Sequence, residues 1–302
     1  MEAQIWKGIF PALTTPFTQN DTLDLPLFIT QIQAQLNAGV HGIIIGGSLG
    51  EAAVLSLKEK EQLLQTATNT NKAKVPVLLN IAAATLKEAI ETVRMAEVNN
   101  AHGFMLLPPM RYKSDTRETT YFLQSVAGAT NLPIMLYNNP VDYGTELTIT
   151  ILNQLAKHEN IIAIKESTRN ITNLTILKNH FQNRFALFCG VDTIAAESIL
   201  MGADGWVAGL VNAFPRETVV LYELIKQKRI DEAIALHRWF SPLLELDIHA
   251  KLVQYIKLAQ QVKGLGTAYV RSPRLMPEGA ELDNVLNLIK KCVANHPGLP
   301  NV

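Results

Sequence analysis

The most informative stretch of the chain, residues 161–167, reads Ile161-Ile162-Ala163-Ile164-Lys165-Glu166-Ser167. Its small and β-branched apolar residues are typical of a strand buried on both faces, as in a parallel sheet. Burial of the lysine that ends this strand favours the neutral amine, because desolvation disfavours the ammonium form. A neutral amine attacks carbonyl carbons and forms Schiff bases. The alternative is an ordinary lysine at an exposed strand end, with Glu166 as its ion-pair partner.

Seven other apolar runs favour the buried, neutral lysine, because together with this strand they form a regular series. The eight runs start about 20 to 35 residues apart, the length of one βα unit, and amphipathic stretches separate them. One such helix is predicted to begin after Ser56, with Glu59 completing a capping box. Similar helices are predicted after Thr85, Thr116, Thr148 and Thr172. The runs occupy residues 8–13, 42–46, 75–80, 103–107, 132–137, 161–165, 185–189 and 205–209.

Eight alternating units predict an α/β fold, a closed (β/α)₈ TIM barrel, over residues 1–225. A doubly wound open sheet is the alternative, but the chain lacks the glycine fingerprint expected at its first βα turn. Residues 226–302 are predicted to form a C-terminal helical appendage packed on the barrel. Its helices are expected at residues 230–246, 252–262 and 282–293.

Composition excludes several classes of function. The chain has 302 residues with 27 basic and 27 acidic side chains, so no strong field exists to hold nucleic acid or anionic lipid. No apolar run approaches the ~20 residues of a membrane helix, and residues 1–7 do not resemble a signal peptide. The two cysteines suggest no disulfide framework, and the seven histidines show no metal-ligand spacing. We therefore expect a cytoplasmic protein without a metal or an organic cofactor.

Polar residues follow several of the predicted strands, where the chemistry of a TIM barrel takes place. Ser48, Tyr137 and Lys165 would bring a hydroxyl, a phenol and an amine to one mouth. The glycine-rich turn at residues 46–50 resembles a phosphate cradle only weakly, because it lacks the ending of a P-loop. Tyr137 could instead be a packed aromatic, and Asp192 could be a helix N-cap.

The motifs at these strand ends resemble those of the dihydrodipicolinate synthase/N-acetylneuraminate lyase family. They are Gly-Ser-Leu-Gly-Glu at residues 47–51, Tyr-Asn-Asn-Pro at 137–140 and Ile-Lys-Glu-Ser at 164–167. The resemblance extends over essentially the whole chain. It implies a class I lyase in which an enzyme lysine forms a Schiff base with a pyruvate-like 2-oxo acid or a cyclic 2-imine. It also implies a homotetramer built from two dimers.

Roles for individual residues follow from the resemblance. Lys165 matches the Schiff-base lysine, Tyr137 the proton-relay tyrosine, and Ser48 its hydroxyl partner. Tyr112 matches a tyrosine exchanged between subunits, although Arg111 competes for that position. The remaining residues expected to bind substrate are Gly47, Leu49, Val207, Ser167, Gly190 and Asp192.

Several departures narrow the expected substrate. Lysine-pathway synthases carry two threonines where this chain has Ser48 and Leu49, and a clamping arginine where it has Asp142. N-acetylneuraminate lyases carry a glutamate after Asp192 and a serine on the eighth strand, whereas this chain has Thr193 and Gly209. The mouth of the barrel is therefore expected to be poor in arginine and unsuited to a second carboxylate.

A third branch of the family resembles this chain more. Residues 137–144, 187–192, 202–211 and 251–258 resemble the 1-pyrroline-4-hydroxy-2-carboxylate deaminases of hydroxyproline breakdown. This resemblance predicts release of ammonia and 2-oxoglutarate semialdehyde from a substrate with one carboxylate. The alternatives are a 4-hydroxy-tetrahydrodipicolinate synthase of lysine biosynthesis, an aldolase for sialic or deoxy-sugar acids, and a catalytically silent ligand-binding barrel.

Overall fold

Eight parallel strands form the centre of the molecule in a computed structural model that describes residues 6–109 and 111–302. Neighbouring strands pair in sequence order from β2 to β8, and β8 pairs with β1. A bridge between Ala12 and Ile44 and the bond from Leu13 N to Ile44 O (2.9 Å) join β1 to β2. The predicted (β/α)₈ barrel is thereby confirmed. The strands are β1 Gly8–Pro11, β2 Ile43–Ile45, β3 Val77–Ile81, β4 Gly103–Leu106, β5 Ile134–Asn138, β6 Ile161–Glu166, β7 Ala186–Cys189 and β8 Gly205–Ala208.

Helices follow the strands and cover the barrel, and their starts have the capping groups that the sequence suggests. Ser56 and Glu59 form the predicted capping box, and Thr85 and Thr148 cap their helices. The helices predicted near Thr116 and Thr172 are capped by Asp115 and Asn170 instead. The helices are α1 Leu25–Ala38, α2 Leu57–Thr70, α3 Leu86–Val98, α4 Thr116–Ala127, α5 Pro140–Tyr143, α6 Ile149–Leu155, α7 Ile171–Phe181, α8 Ala195–Leu200, α9 Pro215–Lys226, α10 Ile230–Leu244, α11 Leu252–Val262 and α12 Gly279–Ala294.

The three C-terminal helices α10, α11 and α12 lie close to their predicted positions. Their apolar side chains, including Phe240, Ile256 and Ile289, share one hydrophobic core with Phe188 and Trp206 of the barrel. The predicted boundary between residues 225 and 226 stays a prediction, and residues 1–5 of the predicted barrel lie outside the described residues.

A short 3₁₀ helix, Glu245–Ile248, joins α10 to α11 and runs close to a second 3₁₀ helix, Asp192–Ile194, that follows β7. The appendage therefore reaches the carboxyl ends of the strands, where the polar residues collect. None of the described helices is long and apolar enough to cross a membrane.

Candidate functional site

Lys165 lies on β6 between Tyr137 of β5 and Phe188 of β7 in the strand register. Its side chain is 7% exposed, and Nζ lies 4.0 Å from the centre of the Tyr137 ring. Burial lowers the pKa of the Lys165 amine, whereas nearby acidic groups, Asp247 first among them, act in the opposite direction. Glu166 is occupied elsewhere, since its carboxylate accepts from Asn138 Nδ2 (2.8 Å) and the amide of Thr168 (2.8 Å). This arrangement favours the nucleophile over the ordinary lysine.

Gly190, at the end of β7, leaves the space that the Lys165 side chain occupies. A Cβ atom at this position would collide with the side chains of Lys165 and Ser167. Ser167 Oγ in turn donates to the carbonyl of Gly190 (3.0 Å). The structure therefore shows Gly190 and Ser167 shaping the path of the lysine.

Two tyrosines stand beside the lysine. The hydroxyl of Tyr137 accepts from Asn139 Nδ2 (3.0 Å), and burial raises the pKa of this phenol. Tyr143 packs edge-on against Tyr137, with ring centres 5.8 Å apart, and its hydroxyl forms a hydrogen bond with Ser48 Oγ. Burial raises the pKa of Tyr143 to about 12, so it stays protonated at neutral pH and can donate. Sequence analysis missed Tyr143, which supplies from the same chain a phenol in contact with Ser48.

Asp192 and Asp247 form a pair of acidic side chains beside the amine. Asp192 was expected to bind substrate, but it lies fully buried behind the wall of the cavity. Its carboxylate accepts from Trp206 Nε1 (2.8 Å) and from the amides of Gly209 (3.1 and 3.2 Å) and Leu210 (2.7 Å). The expectation for Asp192 is therefore corrected, because these internal donors use its oxygens. Asp247, from the 3₁₀ helix after α10, lines the cavity instead.

The mouth of the cavity contains an arginine, contrary to expectation. Arg169, in the loop after β6, pairs with Asp142 at 3.7 Å, and Asn139 Nδ2 donates to the same carboxylate at 2.7 Å. The prediction of an arginine-poor mouth is therefore wrong. Asp142 still occupies the position expected for it, but it serves as the partner of an arginine from the neighbouring strand end.

The residues expected at the site are brought together, with few exceptions, around one cavity of about 70 Å³. Gly47 and Ser48 lie in the turn after β2, which leads into a three-residue 3₁₀ helix, Ala52–Val54, ahead of α2. Tyr112 lies on the surface, 55% exposed, and its predicted role in a neighbouring subunit stays a prediction. Arg111 lines a separate recess beside Ser48. The predicted residues that line the cavity are Gly47, Ser48, Leu49, Tyr137, Lys165, Ser167, Gly190 and Val207.

Comparison with known proteins agrees with this architecture. A sequence model of the "Dihydrodipicolinate synthetase family" matches residues 5–292. The chain belongs to this family. The predicted resemblance is thus confirmed, and so is the prediction of a Schiff-base lyase of this family.

Individual relatives within the dihydrodipicolinate synthetase family are only moderately similar. The 4-hydroxy-tetrahydrodipicolinate synthase of Methanospirillum hungatei is 29% identical over 272 residues, 89% of this chain and 93% of the relative. The enzyme of the same name from Exiguobacterium sibiricum is 34% identical over 221 residues, 73% of this chain and 75% of the relative. The crystal structure of YagE from Escherichia coli K12, a prophage protein of the family solved with pyruvate, superimposes with a TM-score of 0.89. It is 25% identical, and the match covers 95% of this chain and 99% of YagE.

Proposed function

We propose that the protein is a 1-pyrroline-4-hydroxy-2-carboxylate deaminase that forms a Schiff base through Lys165. The proposal rests on the charged side chains that line the cavity. In the described part of the chain its lining contains two basic side chains, Lys165 and Arg169, and Arg169 already pairs with Asp142. A second substrate carboxylate would have to compete with Asp142 for that arginine. A substrate with a single carboxylate avoids this cost.

The chemistry begins at C2 of the cyclic imine. The neutral Lys165 amine attacks C2, and the C2–N bond of the ring breaks, so the ring nitrogen leaves as an amine that stays attached to C5. Loss of a C3 proton then gives an enamine. Ser48, Tyr137 and Tyr143 supply hydroxyl groups that pass protons to and from these centres.

Elimination and hydrolysis complete the reaction. The 4-hydroxyl leaves as water, and the C5 amine tautomerises to an imine. One water hydrolyses this imine and releases ammonia, and a second water releases the 2-oxo acid from Lys165. The net reaction consumes one water and gives 2-oxoglutarate semialdehyde and ammonia in equal amounts. We also propose that the enzyme works in the cytoplasm as a homotetramer, as the family resemblance implies.

A 4-hydroxy-tetrahydrodipicolinate synthase is the second candidate, and two observations favour it. The relatives from Methanospirillum hungatei and Exiguobacterium sibiricum carry that name. Arg169 also stands at the mouth, where an arginine released from Asp142 could bind the second carboxylate of that substrate.

One set of assays separates the two candidates. EDTA-treated protein is given 1-pyrroline-4-hydroxy-2-carboxylate, and ammonia and semialdehyde are measured, the latter with a semialdehyde dehydrogenase. In parallel it is given pyruvate and aspartate semialdehyde, with a reductase for the cyclic product. We expect stoichiometric ammonia and semialdehyde and poor condensation. Robust condensation at micromolar substrate, with no ammonia from the pyrroline, would replace the deaminase by the synthase.

A further inference from the structure

Asp247 enters the site from outside the barrel. The 3₁₀ helix Glu245–Ile248 places its side chain against Gly209, directly after β8. A Cβ atom at Gly209 would collide with Asp247 Oδ1, so a glycine at this position makes room for the carboxyl group. The side chain lines the same cavity as Lys165 and Val207. A carboxyl group with this access to the cavity can touch the substrate.

The two neighbouring acids, Asp192 and Asp247, have different contacts, and these favour different protonation states. Both oxygens of Asp192 accept from N–H groups, so a proton on either oxygen would point at a donor. Burial raises the pKa of Asp192 as well, but these N–H donors and Lys165 lower it, so Asp192 gives up its proton before Asp247 does. Two adjacent carboxylates repel each other, and here one is buried and the other half-buried, so the proton that the pair retains lies on Asp247.

The pKa of Asp247 agrees with this assignment. Burial raises it well above its usual range, and the charges of Asp192 and Asp142 raise it further, whereas Lys165 and a hydrogen bond from the Asp192 amide lower it. Burial acts in opposite directions on the acid and the amine, lowering the pKa of Lys165. The two groups thus tend toward a neutral pair, a carboxylic acid beside a free amine.

We propose that Asp247 is the general acid that protonates the 4-hydroxyl group as it leaves the substrate. This inference rests on the proposed deaminase function and assigns the step that the relay hydroxyls leave open. In that step the lone pair of the Lys165 enamine nitrogen re-forms the C2=N bond, and the C2=C3 electrons form a C3=C4 bond. The C4–O bond breaks with its electron pair on oxygen, which takes the proton of Asp247 and departs as water.

The charges produced by this step support the assignment. A neutral enamine and a neutral acid become an iminium cation on Lys165 and a carboxylate on Asp247. The two new charges form near each other inside a buried cavity, where their attraction is stronger than in water. Asp247 regains its proton when C5 loses one during the following tautomerisation.

The protonated acid also selects the type of reaction. Aldol cleavage of a 4-hydroxy acid requires removal of the hydroxyl proton by a base, whereas elimination requires donation of a proton by an acid. A carboxylic acid at the position of Asp247 favours elimination. The inferred class of substrate is therefore a 2-imine or 2-oxo acid with a hydroxyl group on its fourth carbon.

The test uses Asp247→Asn, which keeps the size of the side chain but cannot supply the proton. The matched control is Glu245→Gln, an exposed acid two residues earlier on the same 3₁₀ helix. The variant Gly209→Ala displaces the Asp247 carboxyl without changing its charge. Three steps are measured separately: borohydride trapping with pyruvate, exchange of pyruvate methyl protons with D₂O by NMR, and release of semialdehyde from the hydroxypyrroline.

We expect Asp247→Asn to retain trapping and proton exchange within several-fold and to lose semialdehyde release by about 10²–10⁴-fold. Gly209→Ala should show the same split, and Glu245→Gln should behave as wild type. Wild-type release by folded Asp247→Asn protein would overturn the inference, as would an equal loss of all three steps, which would mean that Asp247 acts on Lys165. A wild-type enzyme that trapped pyruvate but released no semialdehyde would instead overturn the proposed function, and this inference with it.

Discussion

Lys165 and Lys257 are both buried lysines, 7% and 1% exposed, but their amines have opposite surroundings. Nζ of Lys257, on α11, lies 2.5 Å from Glu51 Oε1 and 2.7 Å from the carbonyl oxygen of Tyr269. Lys165 faces the ring of Tyr137 and an open cavity, and within the described residues no carboxylate lies within ion-pair distance of it. Burial lowers the pKa of both amines, that of Lys257 to about 8.

The difference shows that burial alone does not identify a nucleophile. Lys257 joins the turn after β2 to the C-terminal helices, and the amide of Arg271 and the side chain of Arg274 reach the same Glu51 carboxylate. Its amine has partners on several sides and no space for a substrate carbon. The Lys165 amine is desolvated, yet a substrate can reach it from the cavity. A Schiff-base lysine requires both properties.

The largest effect is expected for Lys165→Ala. Removing the covalent route should lower turnover of the hydroxypyrroline by at least ~10³-fold and abolish the pyruvate adduct seen by intact mass after borohydride reduction. Lys257→Met, assayed at a temperature where it is folded, should retain the adduct. Loss of the adduct in Lys257→Met, or its persistence in Lys165→Ala, would break the distinction between the two lysines.

The second effect concerns stability. Lys257→Met leaves Glu51, which is fully buried, without its nearest cation, and it should lower the free energy of unfolding by about 3–5 kcal/mol. The control is Lys251→Met, whose ion pair with Glu281 at 2.6 Å is partly exposed on both sides and should contribute at most ~1 kcal/mol. Urea unfolding followed by circular dichroism measures both variants. Equal losses of unfolding free energy in the two variants would show that the buried Lys257–Glu51 pair contributes no more to stability than a partly exposed pair.

The sequence predicts the part of the site that local patterns specify. Lys165, Tyr137 and Ser48 each lie within three residues of the carboxyl end of a strand, and the alternation of strands and helices determines that such positions meet at one end of a barrel. The capping box at Ser56 and Glu59 is likewise a local signal. Each of these signals lies within a short stretch of residues, so it can be recognised in a single amino-acid sequence.

The missed residues depend on contacts between distant segments. Asp247 reaches the cavity because α10 packs on the barrel and because Gly209 lacks a side chain, and neither fact follows from the sequence around Asp247. Arg169, in the loop after β6, meets Asp142 of α5, so an arginine missing from one motif was supplied by another strand end. Tyr143 lies within a motif that was recognised, but its contact with Ser48 depends on the turn of α5.

The smallest effect expected is the pH dependence of imine formation, which tests the two lysines in one experiment. The protonated amine of Lys165 cannot attack C2, so the rate should rise roughly tenfold per pH unit below its pKa and then level off. Because burial lowers that pKa, the plateau should begin well below the ~10.4 of an ordinary lysine. Single-turnover reactions with pyruvate, quenched with borohydride at timed intervals from pH 6 to 10, measure the profile. The profile of folded Lys257→Met protein should coincide with that of the wild type, because its amine does not line the cavity. A wild-type rate that still rises tenfold per pH unit at pH 10 would mean that burial does not lower the pKa of the Lys165 amine. A profile displaced in Lys257→Met would mean that the two sites are electrostatically coupled.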